Sequence, residues 1–371
     1  MLAGVVGAQT LTASAPPDAM RGSPLRLRGA DLSFTLQMER AGIQTRQQGV
    51  SVPVERLLAR EGANLVRLRV WLDPPPGYSD LQSLLTLARR AKEARMRIFV
   101  SLHYSDFWAD HQTQEPPAAW QGQDLAAMAT SVFAHSREVV VQLARQDTPA
   151  DLVQIGNEVT WGMLWPTGQV YRDGGEDWGP FTTLLRAGVA GVRAGAPGAH
   201  VPEIVLHTHH GGDPEGATRF VDGVVDGGVS FDTIGVSYYP FWHGALDDLR
   251  RTLTTMIDRY VKDVLVVETS YPWTTTDGDD LQNFFAARSQ LPESGRFPPT
   301  PAGQAAYYEA LRVVLAELPD GRGAGFVVWE PSWLPGVGWA PGEGNQYDNL
   351  TMFDGDGEAL PSLRGFRPPY G

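Results

Sequence analysis

Two glutamates, Glu158 and Glu268, follow apolar runs typical of buried strands, a position that suits acid–base and nucleophilic chemistry. Glu158 comes directly after LVQIGN and Glu268 directly after VLVV. A retaining glycosidase uses two carboxyl groups about 5 to 5.5 Å apart, one attacking the anomeric carbon and the other protonating the leaving oxygen. The sequence predicts such a pair if the fold brings the two strand ends together. The simpler alternative is that each glutamate caps a helix or pairs with an arginine.

The elements that would position these residues recur along the whole chain. Short apolar runs, each followed by a helix-like stretch, predict eight strands: Leu25–Ala30, Asn64–Trp71, Met96–His103, Asp151–Asn157, Glu203–His207, Phe231–Tyr238, Asp263–Thr269 and Gly325–Glu330. Helical patterns cover Leu81–Ala94, Asp124–Ala144, Phe181–Ala194, Leu246–Tyr260 and Gly303–Leu318. With no Pro-rich linker, this alternation predicts one (β/α)8 TIM barrel with long βα loops over residues 25–371. A doubly wound open sheet is the alternative, but the glycine-rich phosphate turn typical of it is missing.

Composition limits the classes of partner. The net charge of −13 argues against nucleic acid, the absence of cysteine excludes disulfides and thiolate metal sites, and no apolar run is long enough for a membrane span. We predict that residues 1–24 are a flexible N-terminal segment. Its Ala13-Ser14-Ala15 resembles the end of a secretory signal, so we expect a secreted protein. No organic cofactor and no obligate protein partner are expected.

Arginine and asparagine near the predicted strand ends fit the same chemistry. Arg67 and Arg69 share one face of the second predicted strand, and an inward face would let Arg67 keep Glu268 ionised for nucleophilic attack. A desolvated Glu158 is expected to keep its proton until the leaving group needs it. Asn157 is expected to bond the sugar hydroxyl next to the reacting carbon.

Aromatic residues predict a surface for a sugar chain. All 11 tryptophans lie after residue 70, and most follow a predicted strand end by a few residues. Indole rings offer flat apolar faces to sugar rings, and the alternative is that each tryptophan packs a loop onto the barrel. Strand alternation places Trp329 and Glu330 on opposite sides, and we assign Trp329 to the site. The other residues expected to bind or support the substrate are Asp31, His103, Trp108, Asp110 and Tyr238.

Several strings together resemble glycoside hydrolase family 53, the arabinogalactan endo-β-1,4-galactanases. They run in order from about residue 27 to 366 and include HYSDFWAD at 103–110, IGNE at 155–158, VSYYPF at 236–241, VVET at 266–269 and WEP at 329–331. The resemblance implies a (β/α)8 barrel with Glu158 as acid/base and Glu268 as nucleophile. It also implies retention of anomeric configuration and cleavage within β-1,4-galactan, the pectin side chain of type I arabinogalactan.

The chain departs from the family pattern at two places. Ser101-Leu102 stand where the family usually has Asp-Phe, and His209-His210 replace other residues after the fifth strand. These departures bear on the substrate contacts rather than on the reaction.

The resemblance also implies a structural calcium ion in the loop after the seventh strand. Alternate residues there carry oxygen atoms at Asp277, Asp279 and Asn283, and Asp348 from the next loop is expected to complete the ligands. Hard oxygen ligands at alternate positions suit Ca²⁺. The alternative is an acidic solvated turn.

Three other functions stay open at this point. One is a barrel that binds galactan without cleaving it. A second is a metallohydrolase using His207, His209 and His210, although no H-E-x-x-H motif accompanies them. A third is another retaining β-1,4-glycanase, acting on xylan or mannan with the same two carboxylates.

Overall fold

Eight parallel strands form a closed barrel in the computed structural model, which describes residues 25–172, 174–198 and 200–368. The strands are β1 Leu27–Asp31, β2 Leu65–Val70, β3 Arg97–Leu102, β4 Leu152–Ile155, β5 Glu203–Thr208, β6 Thr233–Ser237, β7 Asp263–Thr269 and β8 Gly323–Val328. β1 pairs with both β2 and β8, which closes the ring. The predicted (β/α)8 fold is confirmed. The predicted N-terminal segment 1–24 lies outside the described residues.

Helices surround the barrel and connect successive strands. They are α1 Thr35–Arg40, α2 Val54–Arg60, α3 Leu81–Glu93, α4 Leu125–Arg145, α5 Gly179–Gly195, α6 Pro214–Asp226, α7 Pro240–His243, α8 Leu246–Tyr260 and α9 Pro301–Ala316. All five predicted helices are present, with ends that differ by at most two residues. α6 was not predicted, although its buried Ala217, Phe220, Val221 and Val224 recur at helical spacing. None of the described helices is long and apolar enough to cross a membrane.

The barrel interior changes from apolar to polar toward the carboxyl ends of the strands. Leu65, Arg67 and Arg69 alternate along β2, and all three are buried. Residues spaced by two share a strand face, so one apolar position is followed by two charged ones on the same side. Leu65 joins Leu27, Phe99, Leu152, Val205, Leu265, Val267, Ala324 and Val327 in an apolar inner cluster. The polar groups above this cluster form the floor of the barrel mouth.

Long loops follow β3, β4, β7 and β8 at this mouth. The loop after β4 contains two small hairpins, Gly162–Met163 with Gly168–Gln169 and Tyr171–Arg172 with Gly175–Glu176. Another hairpin, Arg46–Gln47 with Val50–Ser51, precedes α2. Short 3₁₀ turns occur at Ala118–Trp120, Val159–Trp161, Arg288–Gln290, Pro319–Gly321, Asp348–Leu350 and Pro361–Phe366. In this fold, the βα loops at the carboxyl ends of the strands carry the functional site.

Candidate active site

Arg67 is the centre of a buried hydrogen-bond network beneath the barrel mouth. One terminal nitrogen lies 2.9 Å from Asp31 and 2.8 Å from Oε1 of Glu268. The other terminal nitrogen donates to Ser101, Gln154 and Asn157 at 3.2, 3.0 and 2.8 Å, respectively. The planar guanidinium has several donors in fixed directions, which lets one side chain connect groups from four other strands and the loop after β4. Asp31 therefore supports the site from below, as a partner of Arg67.

Arg69 makes a second buried ion pair, with Glu330. Its guanidinium lies 2.8 Å from Glu330 and packs over the rings of Phe34 and Trp108. Glu330 has a left-handed backbone (φ 41°) and also accepts a bond from the Phe34 amide, which turns its carboxylate away from the cavity. Trp329 lines the cavity, in agreement with the placement predicted for these two neighbours.

Glu268 lies within β7, and both of its carboxylate oxygens have a donor. Arg67 is 2.8 Å from Oε1, and the Tyr239 hydroxyl donates to Oε2 at 3.1 Å. The predicted contact with Arg67 is present. Burial nevertheless raises the pKa of Glu268 to about 7, because desolvation outweighs the lowering by Arg67 and the Glu158 charge adds to the rise. The ion pair therefore orients the carboxylate without making it strongly acidic.

Glu158 has the opposite electrostatic balance. Burial opposes its ionisation, but His111 Nδ1 at 2.8 Å and a 2.5 Å bond from Ser237 together lower its pKa. The expectation that a desolvated Glu158 keeps its proton leaves out these partners, which favour its ionised form in the free protein. Its backbone is left-handed (φ 46°, ψ 45°), a strained conformation for a glutamate that often accompanies functional positions.

Both glutamates open into one cavity of about 360 Å³ at the barrel mouth. Its walls contain seven of the predicted binding or supporting residues, namely Arg67, Arg69, His103, Trp108, Asp110, Asn157 and Trp329. They also contain His111, Gln112, His209, Tyr239, Trp242, His243, Phe284, Trp339 and Tyr347. The two glutamates that the sequence places 110 positions apart are thus brought to one site.

Tyr238 was predicted to bind substrate, but it does not line this cavity. Its hydroxyl donates to the Gly244 carbonyl at 2.8 Å, outside the cavity. Ser237 contacts Glu158 and Tyr239 contacts Glu268, so these two alternate residues face inward and Tyr238 between them faces away. Because Ser237 faces inward, period-two alternation places the side chain of Tyr239, rather than that of Tyr238, toward the cavity.

Asn157 and His103 retain hydrogen-bonding capacity toward the cavity. Asn157 Oδ1 accepts from Arg67 and Gln154, while Nδ2 donates to Ala109 and keeps a second N–H. Burial first, then the charges of Arg67 and Arg69, lower the pKa of His103 well below its ordinary value, so the ring is neutral. Its Nδ1 accepts from Trp71, and the buried Nε2 has no partner.

Among the described residues, the histidines at the end of β5 and just after it form no metal centre. His207 bonds Asn157 and Ser237, while His209 bonds Thr160. Within residues 25–172, 174–198 and 200–368, only Asp277, Asp279 and Asp348 have ligand atoms grouped closely enough for a metal ion, all within 4.8 Å of one another. The metallohydrolase alternative therefore has no support among the described residues.

Comparison with known proteins confirms the resemblance found in the sequence strings. The model for Glycosyl hydrolase family 53 matches residues 27–366. A probable arabinogalactan endo-beta-1,4-galactanase A from Aspergillus terreus is 37% identical over 322 residues, covering 85% of this chain and 88% of that protein. The arabinogalactan endo-beta-1,4-galactanase of Humicola insolens is 33% identical over 350 residues, covering 92% of this chain and 99% of that protein.

A solved structure agrees with the sequence relatives. The Ignisphaera aggregans GH53 catalytic domain is 33% identical and superposes with a TM-score of 0.86, covering 94% of this chain and 99% of that domain. The family match over residues 27–366 includes all eight strands and both glutamates. The chain therefore belongs to glycosyl hydrolase family 53.

Proposed function

We propose that this protein is a retaining endo-β-1,4-galactanase that hydrolyses β-1,4-galactan in type I arabinogalactan. The observation that carries the proposal is the pair of buried glutamates, Glu158 and Glu268, opening into one cavity. The reaction class follows from membership of a glycosyl hydrolase family, and the galactan substrate from the names of the relatives.

The surroundings of the two glutamates fit a double displacement. Glu268 attacks the anomeric carbon while Glu158 gives its proton to the leaving oxygen, forming a glycosyl-enzyme ester and releasing one sugar chain. Water then attacks the same carbon, Glu158 takes a proton from it, and the ester bond to Glu268 breaks. Arg67 and Tyr239 fix both oxygens of the nucleophile in advance, which reduces the cost of ordering them during attack.

Aromatic rings around the cavity suit an uncharged sugar chain. Trp242 is half exposed at the cavity edge, where its ring packs edge-on against Phe284. Trp329, Trp339 and Tyr347 form a packed wall, with Trp329 and Tyr347 centroids 4.5 Å apart. Flat apolar faces next to hydrogen-bonding groups such as His103 Nε2 match the alternating C–H and O–H faces of a sugar.

The aspartate group fits the predicted structural calcium ion. Asp277, Asp279 and Asp348 converge, and Asn283 Oδ1 beside them is buried without a hydrogen-bond partner. Burial raises the pKa of Asp348 to about 6, and the charges of Asp277 and Asp279 contribute to the rise, as expected for carboxylates that repel one another. Hard oxygen donors of this kind suit Ca²⁺, which would join the loop after β7 to that after β8.

We also propose that the protein acts outside the cytoplasm, because the polysaccharide substrate is too large to be imported intact. Hydrolysis of xylan or mannan would use the same two carboxylates, and the names of the relatives favour galactan over both. A barrel that only binds galactan would not need both carboxylates held as they are.

Product analysis tests the proposed function. The purified protein is incubated with β-1,4-galactan, xylan and mannan, and the anomeric configuration of the first products is followed by NMR. We expect short galactooligosaccharides with retained β configuration from galactan only. E268Q should abolish turnover while galactan binding persists. D320N is the matched surface control, because Asp320 lies at an exposed turn between α9 and β8, at the amino ends of the barrel strands. Inverted products, or E268Q hydrolysis at the wild-type rate, would remove Glu268 as nucleophile.

A further inference from the structure

His111 makes closer contact with Glu158 than any other ionisable side chain. Its Nδ1 lies 2.8 Å from Oε2 of Glu158, and its backbone amide points to the same oxygen at 3.4 Å. Ser237 occupies the other oxygen as a donor. One oxygen of the proposed acid/base is therefore fixed by a hydroxyl, and the other faces an imidazole with which it can exchange a proton.

Neighbouring residues hold the His111 ring in place. It stacks on His209, with centroids 4.1 Å apart and planes within 19°. Asp110 accepts bonds from the Gln112 and Thr113 amides at 2.7 and 3.0 Å, which shapes the turn that carries His111. The Gln112 side-chain amide lies 3.2 Å from Nε2 and has both a donor and an acceptor group, so Nε2 can be satisfied in either protonation state.

The charges that face His111 come from several elements of the barrel mouth. Burial lowers the pKa of His111, but Glu158, Asp110 and Glu268 raise it, and the net shift is upward. The other histidines at this mouth are held neutral mainly by burial, which lowers their pKa values: His103, His207, His209, His210 and His243. His210 also has a carboxylate nearby, Asp213 at 3.2 Å, but among these histidines His111 is the one whose carboxylate partner is the proposed acid/base.

We propose that His111 is a positioning residue that stores the acid/base proton of Glu158 in the free protein and returns it when a sugar chain fills the cavity. The inference rests on the proposed role of Glu158. Binding of the sugar excludes water, which disfavours an imidazolium–carboxylate pair relative to its neutral form.

The transfer is a single proton exchange within the pair. The Nδ1–H bond of His111 breaks and its electron pair stays on the nitrogen, while an O–H bond forms at Oε2 of Glu158. The carboxylic acid then gives this proton to the leaving oxygen. In the second half of the reaction, Glu158 regains a proton from the attacking water, and the pair returns to its starting charge.

The pH dependence of kcat/KM on galactan distinguishes this role from a purely structural one. Two groups that share a proton keep the last proton to higher pH than the carboxyl group alone. H111N retains a side-chain hydrogen-bond donor but cannot titrate, so we expect its basic limb to move to lower pH by roughly half a unit or more. H200N, at an exposed position, is the matched control and should leave the basic limb in place. An unmoved basic limb in H111N would overturn the proposal.

NMR titration of the His111 ring gives a test that does not depend on hydrolysis. We expect the ring to titrate above the ordinary pKa of 6.5 in the wild-type protein and at lower pH in E158Q, because the partner charge is lost and burial remains. An identical titration in the two proteins would contradict the proposal even if galactan is cleaved. A shifted titration in a protein that does not cleave galactan would instead locate the failure in the proposed function.

Discussion

Arg67 and Glu268 form a 2.8 Å ion pair that is almost completely removed from water, with side chains 1% and 9% exposed. The same arginine bonds Asp31, Ser101, Gln154 and Asn157. The proposed nucleophile is thus held through a group that is itself fixed on several sides. Its position depends on the barrel floor rather than on a mobile loop.

R67K should lower kcat strongly while leaving a positive charge. One ammonium cannot reproduce the two-ended contacts of the guanidinium, so we expect a loss of roughly 100-fold or more. Because Arg67 lowers the pKa of Glu268, weakening this contact should also move the acid limb of kcat/KM to higher pH. Steady-state kinetics across pH provide the measurement. R46K, at an exposed arginine, is the matched control, and equal profiles for R67K and R46K would refute this prediction.

E268Q should stabilise the fold increasingly as the pH rises. The pKa of Glu268 is about 7 in the fold against an ordinary 4.5, so ionisation is disfavoured in the folded protein. Below pH 4.5 Glu268 is protonated in both the folded and the unfolded protein. Between pH 4.5 and 7 the unfolded wild type releases this proton while the folded wild type keeps it, so the wild type loses stability and E268Q does not. The difference in unfolding free energy should grow by about 3 kcal/mol across this window. Urea unfolding at pH 4.5 and 8 measures it, and a constant difference would contradict the raised pKa.

Y239F and Y238F form a matched pair that separates the two adjacent tyrosines. Y239F removes the hydroxyl that donates to Glu268, so we expect kcat to fall by roughly 10-fold to 100-fold. Y238F removes only a bond to the Gly244 carbonyl and should cost about 1 kcal/mol of stability with kcat maintained. Kinetics and thermal unfolding of both variants provide the check. A larger loss of kcat in Y238F would mean that Tyr238, rather than Tyr239, points into the cavity.

Calcium removal should destabilise the protein through the aspartate group. An ion at a hundred times its Kd adds about 3 kcal/mol, which for a chain of this size corresponds to roughly 4 °C in melting temperature. We expect EDTA to lower the melting temperature of the wild type and of D280N, in which only an exposed neighbour is changed. D277N should already melt lower and respond little to EDTA. A wild-type melting temperature that EDTA leaves unchanged would exclude the ion.

The sequence predicted the barrel and the position of both glutamates because these depend on regular patterns. Alternating apolar runs define strands, and parallel strands in a closed ring place their carboxyl ends at one mouth. Glu158 and Glu268 could therefore be placed without knowledge of any loop. The choice between Tyr238 and Tyr239 failed because it depends on which way Ser237, the last residue of β6, points. Only the contact of Ser237 with Glu158 in the structure shows that it points inward.

The protonation of Glu158 could not be predicted because its controlling partner lies on a loop. His111 is 47 positions away, and it reaches Glu158 through a turn stabilised by Asp110 and a ring stacked on His209. No periodic pattern specifies such a turn conformation. Burial by itself raises the pKa of Glu158 and favours the protonated acid, whereas the hydrogen bond to His111 lowers this pKa.

The many partners of Arg67 also constrain how this barrel can diversify. Because a single guanidinium joins side chains from β1, β3, β4 and β7, a substitution at any of them disturbs the others, and paired substitutions there should be strongly non-additive. Trp242, Phe284 and Trp339 stand outside this network. New sugar preferences would therefore arise more readily by exchanging these rim residues than by altering the interior.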